Sequence, residues 1–355
     1  HYTKVPAAAG PLIAVKNARN DLFSVVYKFE RGHRRERLLC YALDVVEQSG
    51  AADMSAEALK KKLFSLGTNV YFACDADDSS ITVEGVDANM EQSLKLVDTW
   101  LREVKIDPTV LRGIADNTIS ERHDGMEDPD MLAYALSRYA LYDRDSEFLL
   151  APTNAQITAA KPEALARLAR EFLDHQHKTL YFGPRPAAEA AKAVVLGKSH
   201  RKVTPRPPVK FRKVGKPALY FTHRDVAKST VSLGIPSAAL PREKRPAAKL
   251  WSEYLGGGMN TLLFQELREA RGLVYYAFGT LATGERPNDA WALSGGLGTQ
   301  SDKTVEALTT YLELLARPLD AVRLQSARAT IDQEYRSSRV DPRYSAGLVH
   351  AWDER

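Results

Sequence analysis

Few residues in this chain have types and spacings that could do chemistry by themselves. His33-Arg34-Arg35-Glu36-Arg37 has the outline of an HxxEH zinc motif with arginine where the second imidazole should stand. A catalytic zinc needs about three protein ligands, and this motif supplies two of them as histidines one helical turn apart. With one imidazole, at a strand-to-helix junction, the stretch reads as solvated charge. His175-Gln176-His177 would present both rings to one side of a strand and could hold a metal there. It follows directly on Glu171-Phe172-Leu173, so it reads instead as a helix end, where histidine meets the negative pole of the dipole. Gly256-Gly257-Gly258 lacks the Lys-Ser/Thr pair of a phosphate loop and reads as a tight turn between helices. Cys40 and Cys74 form no CxxC pair, and a chain this long does not need disulfide staples, so both read as unpaired core residues. No GxSxG or Cys/His context marks a hydrolase of another class.

Composition narrows the field further. The 355 residues fit two domains, and 44% hydrophobic with 26% charged residues is ordinary for a globular protein. No stretch approaches the roughly 18 consecutive apolar residues of a membrane span. The N-terminus shows no signal-peptide pattern, which leaves periplasm and cytoplasm both open as compartments. The net charge of +4 is concentrated in one place: Lys198, Arg201, Lys202, Arg206, Lys210, Arg212 and Lys213 share a segment with no acidic residue. Pro205, Pro207 and Pro208 interrupt the same segment, so it reads as an extended, solvated linker. A nucleic-acid groove would need interleaved stacking aromatics, and Phe211 stands alone; a nucleic-acid partner is not expected.

The elements on either side of 198–215 follow one plan twice. In the first copy a strand at 23–29 leads to a helix at 35–48 ending at Gly50. Ser55 caps a second helix that stops at Gly67. Strands at 69–74 and 80–86 follow, then helices at 90–104 and 108–121. The second copy has strands at 218–222 and 230–235, helices at 245–255 and 260–270, and strands at 274–281 and 290–297. Ser301 then caps a helix with Val305, Leu308, Leu312 and Leu315 on one face. Gly50 and Gly257, Gly67 and Gly272, Pro129 and Pro342 are each offset by a little over 200 residues, which indicates a duplicated domain. The expected class is α+β with largely antiparallel sheets packed with helices. The expected domains are 1–197 and 216–355. After Pro129 the first copy continues through helices at 131–142 and 162–173 to a closing strand at 179–183. After Pro342 the second has thirteen residues, so its last helices and closing strand are expected to be lacking, with a sheet edge or apolar face left uncovered.

Arg268 and Tyr275, on spacing alone, read as a solvated helix residue and a half-buried strand aromatic. Their setting changes that. The run Leu255-Gly256-Gly257-Gly258-Met259-Asn260-Thr261-Leu262-Leu263-Phe264-Gln265-Glu266-Leu267-Arg268-Glu269-Ala270-Arg271-Gly272-Leu273-Val274-Tyr275 resembles the signature of the C-terminal domain of M16 (pitrilysin/insulinase-like) metallopeptidases, roughly LGxGMxSxLFxxLREKxGLxY. The resemblance implies two homologous M16-type halves closing around a peptide. One half holds zinc through HxxEH and a later glutamate, and the other supplies an arginine and a tyrosine seven residues apart. Arg268 would orient substrate or stabilise oxyanion charge, and Tyr275 would donate a hydrogen bond to it.

The zinc set does not carry over. Tyr41 and Val45 fall at the two histidine positions, Asp44 at the general base, and Glu121 at the distal glutamate. The resemblance therefore implies a substrate-side half without a metal of its own. It would bind extended peptide along a sheet edge beside a zinc-bearing half or subunit. The other reading is a catalytically dead scaffold or peptide-binding core subunit of the same fold.

Overall fold

The computed structural model describes every residue except Ala8, Ser199, Val214, Gly257, Thr283, Glu285 and Arg355. The landmark Gly257 therefore lies outside the described residues. The chain divides into two compact units that do not follow sequence order. Unit 1 takes His1–Arg122, Leu149–Arg206 and Val340–Asp353, and unit 2 takes His123–Phe148, Pro207–Arg339 and the last two residues.

Unit 1 begins with β1 (Tyr2–Val5), β2 (Leu12–Lys16) and β3 (Leu22–Phe29), then α1 (Leu39–Glu47) and the short β4 (Gly50–Ala51). There follow α2 (Ala56–Ser65), β5 (Asn69–Cys74), β6 (Ser79–Val86), α3 (Met90–Arg102) and the short β7 (Val104–Lys105). After α4 (Pro108–Glu127), the chain passes through α5 (Pro129–Tyr142) of unit 2. It returns by α6 (Glu147–Leu150), α7 (Asn154–Thr158), α8 (Pro162–Leu173), β8 (Lys178–Gly183) and α9 (Ala187–Ala193). The main sheet has the order β1-β2-β8-β3-β6-β5. Only the β2–β8 pair is parallel.

Alternation along β3 explains how this sheet is held. Phe23, Val25, Tyr27 and Phe29 are buried in the core shared with α1, α3 and α8. Each such side chain is worth roughly 1.5–3 kcal/mol of burial. The other face is not bare. Ile13, Val15, Leu180 and Phe182 form a second cluster with Ala346, which lies on the last helix of the chain.

Unit 2 holds α5, then β9 (Lys228–Ala239), α10 (Arg245–Gly256), a π-helical turn (Phe264–Glu269), β10 (Tyr276–Ala282) and β11 (Ala290–Gln300). The helices α11 (Thr304–Ala316) and α12 (Ala321–Ser337) complete it, and α13 (Ser345–Glu354) carries Ala346 into unit 1. Its sheet is β10-β11-β9, antiparallel throughout. That order matches β5-β6-β3 of unit 1 strand for strand. Gly256 ends α10 where a Cβ would collide with the backbone of Gly279, so the helix can rest directly on β10 only because position 256 carries no side chain.

Four expectations need correction. The strand expected at 218–222 does not form. In unit 1 the comparable strand, β2, reaches β3 only through β8. Among the described residues nothing plays that part beside β9, and Leu219 and Phe221 stay 89% and 78% exposed. Second, α11 buries Ala307, Thr310, Tyr311 and Leu314, while Val305 on the expected face is 78% exposed. The Tyr311 hydroxyl fills the space that Cβ atoms would take at Gly279 and Gly295, and it donates to the Phe278 carbonyl at 2.8 Å. A slot cut by glycines on the sheet outweighed the aliphatic stripe. Third, the described residues of the basic segment are extended and mostly exposed as expected, but the segment is also tethered at particular points. Val209 N–H donates to Asp289 Oδ1 at 2.8 Å, and Arg212 N–H to the Leu141 carbonyl at 2.8 Å. Phe211 packs on Tyr142 with 5.2 Å between centroids. Fourth, Cys40 and Cys74 are not separate core residues but a disulfide, with Cα atoms 5.2 Å apart. The first turn of α1 stands over the end of β5, a juxtaposition across 34 residues that no local spacing announces.

Candidate functional site

The segment bearing Arg268 is fixed from below. Leu262, Leu263, Leu267, Leu273 and Val274 are buried in the unit 2 core. Between them the helix widens to π geometry, with Ala270 N–H donating to the Gln265 carbonyl five residues back at 2.9 Å. Such turns interrupt the regular 3.6-residue repeat and recur at functional positions. Gly272, at φ +57°, reverses the chain in the left-handed region that glycine enters without a Cβ penalty. Tyr275 N–H then donates to the Gly298 carbonyl at 2.8 Å, which starts the β10 pairing.

On this footing both candidate side chains face outward. Arg268 is 49% exposed, its guanidinium 4.9 Å from the Phe264 ring centroid and 3.9 Å from Glu269. Tyr275 is 53% exposed. Arg268 is not spent in a close ion pair, so both groups keep donors available to a ligand.

The positions aligned with a zinc motif do not converge. Tyr41 and Val45 are buried in the unit 1 core, whereas Asp44, between them on α1, is exposed. Burial, then the charges of Asp44 and Asp116, holds the Tyr41 phenol above its ordinary range. Crowding by protein and the Glu47 charge lift the Asp44 carboxyl likewise. Glu121 is exposed on α4. Valine has no donor atom, and the phenol is turned into the core. This set does not fit a zinc ion. Among the described residues no group of three or more His, Cys, Asp or Glu side chains is arranged to hold a metal.

His175, His177 and His33 each meet a protein group instead. Arg31 Nη1 donates to His175 Nε2 at 2.9 Å, and His175 Nδ1 lies 3.3 Å from the Phe172 carbonyl at the end of α8. His177 is buried against Phe29, ring centroids 4.7 Å apart, and its Nδ1 donates to the His175 carbonyl at 3.0 Å. Burial depresses the His177 pKa to about 4. His33, read as solvated charge, has its Nδ1 3.5 Å from Cys40 Sγ. That neighbour was invisible to sequence reasoning because the disulfide itself was.

The site is thus a mixed α+β scaffold that presents an exposed arginine and an exposed tyrosine from one anchored turn. Residues 162–331, a little under half of the chain, match the family of the peptidase M16 inactive domain, and that stretch is of the M16 inactive-domain type. An uncharacterized zinc protease of Mycobacterium bovis is 34% identical over 174 residues, 45% of this chain and 38% of that relative. One from Streptomyces coelicolor is 44% identical over 55 residues, 16% of this chain and 12% of the relative. The chain thus spans well under half the length of these relatives. Among solved structures, a peptidase M16 inactive domain from Pseudomonas fluorescens superposes with a TM-score of 0.79 at 16% identity, covering 99% of this chain and 87% of that one. A protease from Helicobacter pylori gives 0.78 at 15% identity, covering 100% and 90%. Identities this low speak for the fold.

Proposed function

We propose that this chain is the substrate-side half of an M16-type zinc peptidase, built from two homologous domains, 1–197 and 216–355, joined by the basic segment 198–215. The shared strand order of the two sheets supports the duplication. The observation that carries the functional reading is the presentation of Arg268 and Tyr275. Both are exposed, on a turn anchored by Leu267, Leu273 and Val274. Preorganised donors of this kind stabilise charge that develops on a scissile carbonyl without having to rearrange. The zinc and its activated water belong to a separate half or partner subunit. Peptide in extended form would add to an open strand edge, of which β1, β5, β9 and β10 are examples.

The test mixes the full chain with a zinc-bearing M16 half and follows cleavage of a fluorogenic peptide. Cleavage should need both components. Arg268→Ala and Tyr275→Phe should each lower kcat by roughly 10-fold or more, since loss of one oxyanion donor costs about that much or beyond. A mixture no faster than the zinc half alone removes the composite site, and unchanged peptide binding would then favour the scaffold reading.

A further inference from the structure

The Cys40–Cys74 bridge lies in surroundings that a purely structural cross-link does not require. Cys40 is the second residue of α1, and no side chain caps that helix start. His33 Nδ1 stands 3.5 Å from Cys40 Sγ. Both sulfurs belong to residues of intermediate exposure, neither sealed in the core. Cys74, by contrast, ends a β-strand, where no helix terminus favours negative charge. The two sulfurs are therefore chemically unequal. A helix N-terminus and an imidazole able to share or take up a proton both favour a thiolate, and here both stand at Cys40; the Asp75 carbonyl oxygen, 3.3 Å from the same sulfur, works the other way.

The fold around the bridge is also held without it. Arg34 clasps Asp77 at 2.8 Å, and the His33 and Arg34 N–H groups donate to the Asp75 and Ala76 carbonyls at 3.0 and 2.8 Å. Ser79 Oγ donates to the Arg31 carbonyl at 2.7 Å. These bonds fasten the approach to α1 onto the β5–β6 turn whether or not the sulfurs are joined.

From these observations we infer that Cys40–Cys74 is a reversible thiol–disulfide exchange site, with Cys40 as the leaving and attacking sulfur and a dithiol reductant as its co-reactant. One thiolate of the dithiol attacks Cys74 Sγ. The Cys40–Cys74 bond breaks, and its electron pair departs on Cys40 Sγ beside His33. The second sulfur of the dithiol then attacks the first within the mixed disulfide and releases Cys74 as thiolate. Two electrons pass: the dithiol becomes a disulfide, and the cystine becomes two thiols. The better-stabilised sulfur leaves faster, which fixes the order of events. This site is independent of Arg268 and Tyr275.

The experiment uses the full chain under native conditions. The oxidised protein is treated with millimolar dithiothreitol at neutral pH, quenched in acid, alkylated, and read by peptide mass spectrometry, with circular dichroism alongside. Both cysteines should become alkylatable while the native spectrum persists. In Cys74→Ser, Cys40 should react with iodoacetamide at pH 7 about 10-fold faster than glutathione, as a lowered thiol pKa requires. His33→Gln should take that rate back towards the free thiol. Reduction only after unfolding, or a Cys40 rate no greater than that of glutathione, overturns the inference. So does a folded His33→Gln variant with an unchanged rate. If His33→Gln does not fold, the pH profile of Cys40 alkylation in Cys74→Ser decides: a midpoint below about 7.5 supports the site, and one at about 8.5 or above removes it.

Discussion

Tyr41 and Asp44 sit three residues apart on α1, near enough for the Asp44 charge to act on the Tyr41 phenol, yet Tyr41 is buried and Asp44 is exposed. Place sets the protonation of each group, and residue type keeps the position from holding a metal, since valine has no donor atom and no imidazole is present. His177 shows the same dependence on place. Its folded ring stays neutral down to about pH 4, while an unfolded histidine takes up its proton near pH 6.5. Between those values the unfolded chain binds more protons. The His177 contribution is therefore complete above about pH 6.5 and drains away as pH falls towards 4. Urea denaturation at pH 7 and pH 5 should differ by about 2 kcal/mol from this residue alone. His177→Phe should remove that difference; identical pH slopes for variant and parent would show that the ring is not the proton-linked group.

Elements carry the next set of expectations. Ser55 caps α2 as its spacing predicts, accepting from Ala58 N–H at 3.2 Å. Ser55→Ala should cost about 1 kcal/mol, measurable as a lowered denaturation midpoint. Gly295→Ala should cost more, about 1–3 kcal/mol, because the new methyl would displace the Tyr311 hydroxyl from its bond to Phe278. The comparison separates a local effect, which the sequence shows, from a packing effect across the sheet, which it does not. The cap depends on neighbours in the chain, whereas the Tyr311 slot depends on two strands and a helix meeting.

At the scale of the molecule the two units have unequal sheets. β3 is paired on both sides, with β6 and β8, and buried beneath three helices. β9 is paired with β11 alone among the described strands, and much of it is exposed. Hydrogen exchange should therefore leave the β3 amides protected longest, with alternate β9 amides exchanging early. Equal protection along both strands would mean that the β9 edge is covered in solution. The exchange of pieces between units belongs to this scale too: α5 packs on β9, and α13 covers the outer face of the unit 1 sheet.

The sequence by itself determined what local physics controls. Local patterning placed the strands β3, β5, β6 and β11, and Ser55 and the glycines punctuated the helices. The LGGGMNTLLFQELREARGLVY run located Arg268 and Tyr275 on one turn. Tertiary structure decided what depends on distant partners. It joined Cys40 to Cys74, chose Tyr311 over the leucine stripe of α11, denied 218–222 a strand partner, and tethered the basic segment. Short-range pattern reports which face of an element is apolar. It does not report which surface, strand or sulfur that face will meet, because contact energies arise between residues far apart in the chain.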